Sequence, residues 1–134
     1  MKKIFLTFVL TFIAIGMFAQ KSIPTDTAVL KLMNIKKGMV SVNSLADSMS
    51  KKMTLKNATD FKTEMNVYKA EMIAKAMETF KNDYSVEDID FIYNECTSDK
   101  IDYTDLTNNF FRKWRSIKGN YFFSKAKASY AKYQ

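Results

Sequence analysis

Few side chains in this sequence could carry out chemistry: a set of carboxylates, a set of lysines and one thiol. The chain has a single cysteine, Cys96, and no histidine. Without histidine, neither a Ser-His-Asp triad nor a Cys-His pair can form, and the usual His ligands of catalytic zinc are missing. The sequence also has no glycine-rich phosphate-binding loop. We therefore expect no enzymatic activity, no cofactor and no bound metal.

A pair of carboxylates is the one catalytic arrangement that the composition leaves open. Two acidic residues that are distant in sequence can converge in a fold and hydrolyse a glycosidic bond. Nothing in the sequence selects one such pair from its 14 Asp and Glu residues. A hydrolase is therefore a third hypothesis, behind two binding functions.

Charge is unevenly distributed along the chain. Residues 83–105 contain one base, Lys100, and eight acids: Asp83, Glu87, Asp88, Asp90, Glu95, Asp99, Asp102 and Asp105. Such a segment could bind calcium, but an EF-hand loop needs ligands at alternate positions and a central glycine. The last three acids are three residues apart, and several of the eight are placed to cap helices. We interpret the segment as a solvated acidic surface.

The N-terminus has the order of a secretory signal peptide. Lys2 and Lys3 precede an apolar run over residues 4–15, and Gly16 and Ala19 follow it. The run of about 12 residues is shorter than the roughly 20 that cross a bilayer. We expect a signal peptide at residues 1–19, cleaved after Ala19, and one domain at residues 20–134 in the periplasm or outside a bacterial cell. A retained N-terminal anchor is the alternative.

The basic residues after position 105 are the candidate binding residues: Arg112, Lys113, Arg115, Lys118, Lys125, Lys127 and Lys132. Aromatic residues are interspersed among them, a composition typical of interfacial membrane helices and of nucleic-acid-binding segments. Exported proteins rarely meet nucleic acid, so we expect no such partner. An anionic membrane surface or cell-envelope glycan is the alternative ligand. In the main interpretation, the bases lie on the wet face of a core helix and complement residues 83–105 within the fold or in a neighbouring copy.

Periodic apolar residues predict helices throughout residues 20–134. The first helix follows Pro24, is capped by Thr25, and carries Lys36 and Lys37 in its last turn, with Gly38 as its stop signal. Ser44 and Asp47 have the spacing of a capping box at the start of a second helix, whose apolar face contains Leu45, Met49 and Met53.

The longest apolar stripe predicts the third helix. Asn57 and Asp60 mark its start, and the stripe steps by three or four residues through Phe61, Met65, Tyr68, Met72, Ala76 and Phe80.

Two more capping patterns predict the last two helices. Ser85 and Asp88 form a capping box for a helix with Val86, Ile89, Tyr93 and Cys96 on one face and Glu87, Asp88, Asn94 and Glu95 elsewhere on its surface. Asp102 and Asp105 precede a helix whose stripe contains Leu106, Phe110, Trp114, Ile117 and Tyr121 and which bends or breaks at Gly119.

The fold class is therefore all-α: a small bundle of about five helices, with no strand. The low content of turn residues, three Gly and one Pro, agrees with long helices and few connections. Cys96 lies on an apolar face and is expected to be a buried, inert thiol. As an unpaired cysteine in an exported protein, it could instead join two copies covalently.

One segment resembles a known family. Tyr84-Ser85-Val86-Glu87-Asp88 and Phe91-Ile92-Tyr93-Asn94 are similar to motifs of the 2059 family of domains of unknown function, and the similarity extends over residues 68–114. The family's Ser-Pro-x-Gly continuation is replaced by residues 95–99. The resemblance implies an exported helical module without assigned catalytic residues. With it, the sequence predicts a non-enzymatic interaction module whose partner is another protein or a second copy of the chain.

Overall fold

The structure, a computed structural model, describes residues 22–134 and the side chains from residue 26 onward. The predicted signal peptide at residues 1–19, and the start of the domain at residue 20, lie outside the described residues.

Five helical units and no strand make up the described part of the chain, as predicted. The first four units are α1 (Ser22–Met33), α2 (Val40–Ser50), α3 (Leu55–Asp83) and α4 (Val86–Thr97). A 3-10 turn (Ile35–Lys37) follows α1. The fifth unit is continuous and consists of α5 (Asp105–Lys118), a π-helical turn (Gly119–Phe123) and α6 (Ser124–Tyr133). Within residues 22–134, none of the helices combines the length and the apolar character that a bilayer span requires.

The longest helix, α3, lies antiparallel to the fifth unit. The rings of Phe80, near the end of α3, and Phe110, in α5, are 4.9 Å apart, whereas Glu64 near the start of α3 pairs with Lys132 near the end of α6. The predicted stripe of α3 is buried along its length, with Tyr68 partly exposed. This pair of helices forms the centre of the bundle, and α1, α2 and α4 pack around it.

The π-helical turn explains a prediction that was wrong. We expected the stripe of the last helix to continue from Ile117 to Tyr121 and the helix to bend or break at Gly119. Instead, Tyr121 is partly exposed and Phe122 is fully buried. A π turn adds one residue to the helical repeat, so the buried positions step by five from Ile117 to Phe122 and then by four to Ala126. The helix therefore stays continuous while its apolar face is kept against α3.

The helix starts confirm one predicted cap and correct the others. Ser85 and Asp88 form the expected capping box of α4. The caps of α3 and α5 are threonines, Thr54 and Thr104, and not the predicted Asn57 and Asp102. Each threonine hydroxyl accepts a bond from the amide three residues later, and the side-chain amide of Asn57 donates instead to the carbonyl of Tyr133, at 3.1 Å.

The predicted starts of the first two helices are also wrong. The α1 helix begins at Ser22, so Thr25 lies inside it, and α2 begins at Val40, so Ser44 lies inside it as well. Pro24 is compatible with this assignment because proline is tolerated in the first turn of a helix, where its missing N–H has no intrahelical partner. Leu45 and Met49 still pack against the core as the periodicity predicted.

The end of α1 differs most from the expectation. The helix stops at Met33, and Lys36 and Lys37, expected in its last turn, have left-handed φ angles of 55° and 61°. Gly38, predicted as the stop signal of this helix, has a right-handed φ of −54°. Glycine is needed there for space: a Cβ on Gly38 would overlap the carbonyl oxygen of Met33 and lie 2.7 Å from Nε1 of Trp114.

Candidate functional site

Four of the seven predicted binding cations are engaged inside the fold. Lys113 pairs with Asp83 at 2.5 Å, Lys125 with Glu71 at 3.0 Å and Lys132 with Glu64 at 2.7 Å. The ammonium of Lys118 donates to the carbonyl of Gly38 at 3.2 Å. The other three, Arg112, Arg115 and Lys127, are exposed and form no ion pair with a described residue.

We expected ion pairs between these cations and the acids of residues 83–105. Among the described residues one such pair is present, between Lys113 and Asp83. Lys125 and Lys132 pair with acids of α3 instead, because α6 lies along that helix. Among the described residues, six acids of the segment therefore have no ion-pair partner: Glu87, Asp88, Asp90, Asp99, Asp102 and Asp105. Asp88 takes part in the capping box of α4, and the other five carboxylates are exposed.

The aromatic residues of the fifth helical unit are packed inward. Phe110, Trp114 and Phe122 are buried, and the remaining aromatic side chains pack partly buried against the core. No large apolar side chain between residues 105 and 134 is exposed. This part of the chain therefore presents cations without the apolar face that inserts into a membrane interface.

The carboxylate of Glu64 is the centre of a network that fastens α6 to α3. Its Oε1 accepts a hydrogen bond from Ser129 at 2.6 Å, and its Oε2 accepts bonds from Lys132 and from the hydroxyl of Tyr133. Hydrogen bonds from Lys132, Ser129 and Tyr133 lower the pKa of Glu64 to about 2. The group is thus an ionised structural anchor at neutral pH.

Glu95 was expected on the surface of α4, and this prediction is wrong. Its side chain is only 2% exposed. Oε1 accepts hydrogen bonds from the amide and the hydroxyl of Thr104, at 3.0 and 2.9 Å. Oε2 has no hydrogen-bond partner among the described residues and lies 3.5 Å from the ammonium of Lys100. The nearby hydroxyl of Thr107, together with the hydrogen bonds from Thr104, lowers the pKa of Glu95 to about 2.

These contacts hold residues 98–104, here called the Ile101 loop, at both ends. At its start, the Ser98 hydroxyl donates to the carbonyl of Glu95 at 2.9 Å and accepts from the amide of Lys100 at 3.3 Å. At its end, Thr104 is fixed by Glu95, and the Tyr103 carbonyl accepts a bond of 3.3 Å from Asn108.

The loop presents one apolar side chain to solvent. Ile101 is 92% exposed, the largest value among the exposed large hydrophobic residues of the described chain. Asp99 and Asp102 flank it within the loop, and both are exposed. Ile101 is therefore an apolar side chain that takes no part in the core, on a loop with fixed ends and between two exposed carboxylates.

A groove lies beside this loop, between the end of α1 and the end of α4. It has a volume of about 360 Å³ and is lined by Lys31, Asn34, Ile35, Lys36, Tyr93, Cys96 and Thr97. Lys31 lies over the ring of Tyr93 at 5.8 Å, and Lys36 lies over the ring of Tyr103 at 5.7 Å. We call this feature the lysine groove.

The lysine groove depends on the left-handed residues after α1. Two consecutive non-glycine residues in this conformation are costly, by roughly 1–2 kcal/mol each. Contacts from α5 hold them: Nε1 of Trp114 donates to the carbonyl of Met33 at 3.2 Å, and Lys118 donates to the carbonyl of Gly38. The packing of α5 thereby fixes the position of Lys36.

Cys96 is buried, as predicted, with 6% of its surface exposed. Burial raises the pKa of its thiol, and the nearby Lys36 lowers it to a smaller extent. The thiol is therefore poorly suited to nucleophilic attack.

No protein-family model, curated protein or solved structure matches this chain. Within residues 22–134, no group of three or more acidic, cysteine or histidine side chains is arranged to hold a metal ion.

Proposed function

We propose that this chain is an exported, non-enzymatic interaction module that binds a cationic protein surface through the Ile101 loop. The observation that carries the proposal is the exposure of Ile101 on a loop whose two ends are hydrogen-bonded to the rest of the fold. A loop held in one conformation loses little entropy on binding, which favours recognition. The expectation of export rests on residues 1–19 of the sequence.

Charge supports a cationic partner. The Ile101 loop and the adjoining helices carry six acids without an ion-pair partner among the described residues, including Asp99, Asp102 and Asp105. Unpaired charges of one sign steer an oppositely charged surface and suppress like-charged ones. The partner expected is a protein with an apolar pocket bordered by lysine or arginine.

The carboxylates support a non-enzymatic function. Glu64 and Glu95 both have a pKa lowered to about 2, so each is ionised at neutral pH and holds no proton for general acid catalysis. Each also accepts hydrogen bonds from neighbouring side chains, which anchor helices and the Ile101 loop. The hydrolase hypothesis requires one raised pKa in a pair of acids, and neither of these groups supplies it.

The alternative ligand, a membrane surface or anionic glycan held by the basic C-terminal helix, has less support. Its aromatic residues pack into the core, and four of its seven cations bind groups of the protein itself. Arg112, Arg115 and Lys127 remain for such a contact.

Photo-cross-linking tests the proposal in the cells that produce the protein. A photoreactive phenylalanine replaces Ile101 in the full chain, and in a control chain it replaces Leu55, which is 86% exposed at the start of α3. We expect a discrete protein adduct from position 101 and none from position 55. Neutralising the loop, with Asp99→Asn and Asp102→Asn together, should reduce the yield severalfold. Absence of any adduct from position 101, or equal adducts from both positions, contradicts the proposal.

A further inference from the structure

We infer that the Ile101 loop binds the lysine groove of a second copy of this chain, so that two copies form a symmetric dimer. This inference rests on the proposed function and names the partner. It requires that the loop and the groove be complementary in shape and charge, and that both lie on one face of the molecule.

The lysine groove has an apolar floor and a positively charged border. Its floor is apolar, formed by the buried side chains of Ile35 and Cys96. Its border carries the ammonium groups of Lys31 and Lys36, and neither forms an ion pair with a described residue. The two cations lie over the rings of Tyr93 and Tyr103, which attract their charge without neutralising it.

The Ile101 loop has an apolar projection and negative charge, which are complementary to the recess and the positive charge of the groove. One branched apolar side chain projects into solvent, with a carboxylate two residues before it and another directly after it. Seated in a groove with an apolar floor, Ile101 would bury its side chain. Asp99 and Asp102 would then approach the ammonium groups at the border, where partial desolvation strengthens their attraction.

The loop does not fill the groove of its own chain, since Ile101 is 92% exposed. The two features are nevertheless neighbours. Thr97 lines the groove and directly precedes the loop, and Tyr103 of the loop contacts Lys36. A surface that contains both a projection and its complementary recess can pair with an identical surface about a two-fold axis, so that each loop enters the other groove.

Each dimer would contain the Lys36–Asp102 contact twice, and this allows a charge exchange as a test. Lys36→Asp alone brings two carboxylates together in both contacts, whereas Asp102→Lys alone brings two ammonium groups together in both. The double variant, Lys36→Asp with Asp102→Lys, therefore restores opposite charges in both contacts of its own dimer. Aspartate at position 36 is compatible with the left-handed backbone there.

In a mixture of the two single variants, position 36 of each chain meets position 102 of the other chain. The Lys36→Asp chain then offers two carboxylates and the Asp102→Lys chain offers two ammonium groups. Both contacts of the mixed dimer therefore join opposite charges. The mixture and the double variant should each recover the association that either single variant loses.

Sedimentation velocity of the mature chain at low salt, over a range of concentrations, measures the association. We expect a dimer that dissociates as salt is added, a dissociation constant at least tenfold higher for each single variant, and recovery on mixing the two. Lys127→Asp, at an exposed cation of α6, is the matched control and should dimerise like the unmodified chain. Circular dichroism verifies that every variant is folded.

Ile101→Asp gives a second measurement, because a side chain exposed to this extent contributes little to folding. It should abolish the dimer. A chain that is monomeric at every concentration, a dimer insensitive to Ile101→Asp, or failure of the mixture to recover association overturns the inference. The photo-cross-linking experiment decides separately on the proposed function. If the dimer is absent but position 101 cross-links to a different protein, the proposed function is supported. If position 101 cross-links to no protein, the proposed function is contradicted as well.

Discussion

The carboxylate of Glu95 in α4 accepts hydrogen bonds from both the amide and the hydroxyl of Thr104, the residue that caps α5. The same threonine accepts a bond from the amide of Thr107 in the first turn of α5. One carboxylate therefore fixes the start of a helix and the end of the Ile101 loop at the same time. The geometry of the proposed binding surface depends on a residue that is itself almost completely buried.

Glu95→Ala should release the Ile101 loop. Removal of the carboxylate leaves two donors of Thr104 without their acceptor and removes the contact that joins the end of the loop to α4. We expect a lower midpoint of thermal unfolding and much faster hydrogen exchange at the amide of Thr104. Asp90→Ala, at an exposed acid of the same helix, is the control and should change neither. Unchanged exchange at Thr104 in the Glu95 variant would show that the carboxylate does not hold the loop.

Substitution by alanine should change the free energy of unfolding in opposite directions at Gly38 and Gly119. Gly38→Ala places a Cβ against the Met33 carbonyl and 2.7 Å from the indole of Trp114, and we expect a loss of about 2–3 kcal/mol in the free energy of unfolding. A Cβ on Gly119 meets nothing within 4 Å and its φ is −62°, so Gly119→Ala should gain roughly 0.4–1 kcal/mol. Urea denaturation measures both, and equal effects would refute the steric explanation.

Lys37→Gly should stabilise the protein. Lysine at φ of 61° is in a conformation that glycine adopts without penalty. The strain energy that glycine relieves is larger than the free-energy cost of the extra conformational freedom that glycine gives the unfolded chain. We therefore expect a net gain of roughly 0.5–1 kcal/mol in the free energy of unfolding. The control is Lys62→Gly, at an exposed position within α3, where glycine should cost about 1 kcal/mol. A loss at position 37 comparable to that at position 62 would argue that the turn is not left-handed.

Acid unfolding should depend on Glu64. The folded-state pKa of this group is about 2, below its ordinary value of 4.5, so its ionised form stabilises the fold above pH 4.5. This contribution is lost as the pH falls from 4.5 to about 2. Glu64→Gln should be less stable at neutral pH and show a shallower dependence of stability on pH in that window. Some dependence should remain, because Glu95 also has a pKa of about 2. Asp90→Asn should follow the curve of the unmodified chain.

Apolar periodicity predicted the fold class and the central helix because a stripe that repeats every three or four residues has one solution, a helix buried along one face. The stripe from Phe61 to Phe80 is buried accordingly. The register of the fifth unit could not be predicted in the same way. Tyr121 and Phe122 are both aromatic, and only the one-residue shift of the π turn decides which of them faces α3.

The sequence analysis did not predict the contacts that shape the Ile101 loop and the lysine groove. The polarity of Glu95 predicts a position on the surface of α4. However, Glu95 follows the buried Ile92 by three residues and so shares its face of the helix. That spacing was a usable signal. The left-handed lysines had no such signal, because the contacts that hold them come from Trp114 and Lys118, about eighty residues later in the chain.

Backbone ¹⁵N relaxation of the mature protein gives the most direct test that the Ile101 loop is a rigid display surface. The structure predicts order parameters for the amides of Lys100, Ile101 and Tyr103 near the value of about 0.85 that is typical of rigid backbone. In Glu95→Ala, the same amides should fall below about 0.6. Values below about 0.6 in the unmodified protein would contradict the account, since a loop that moves freely cannot present Ile101 in one position.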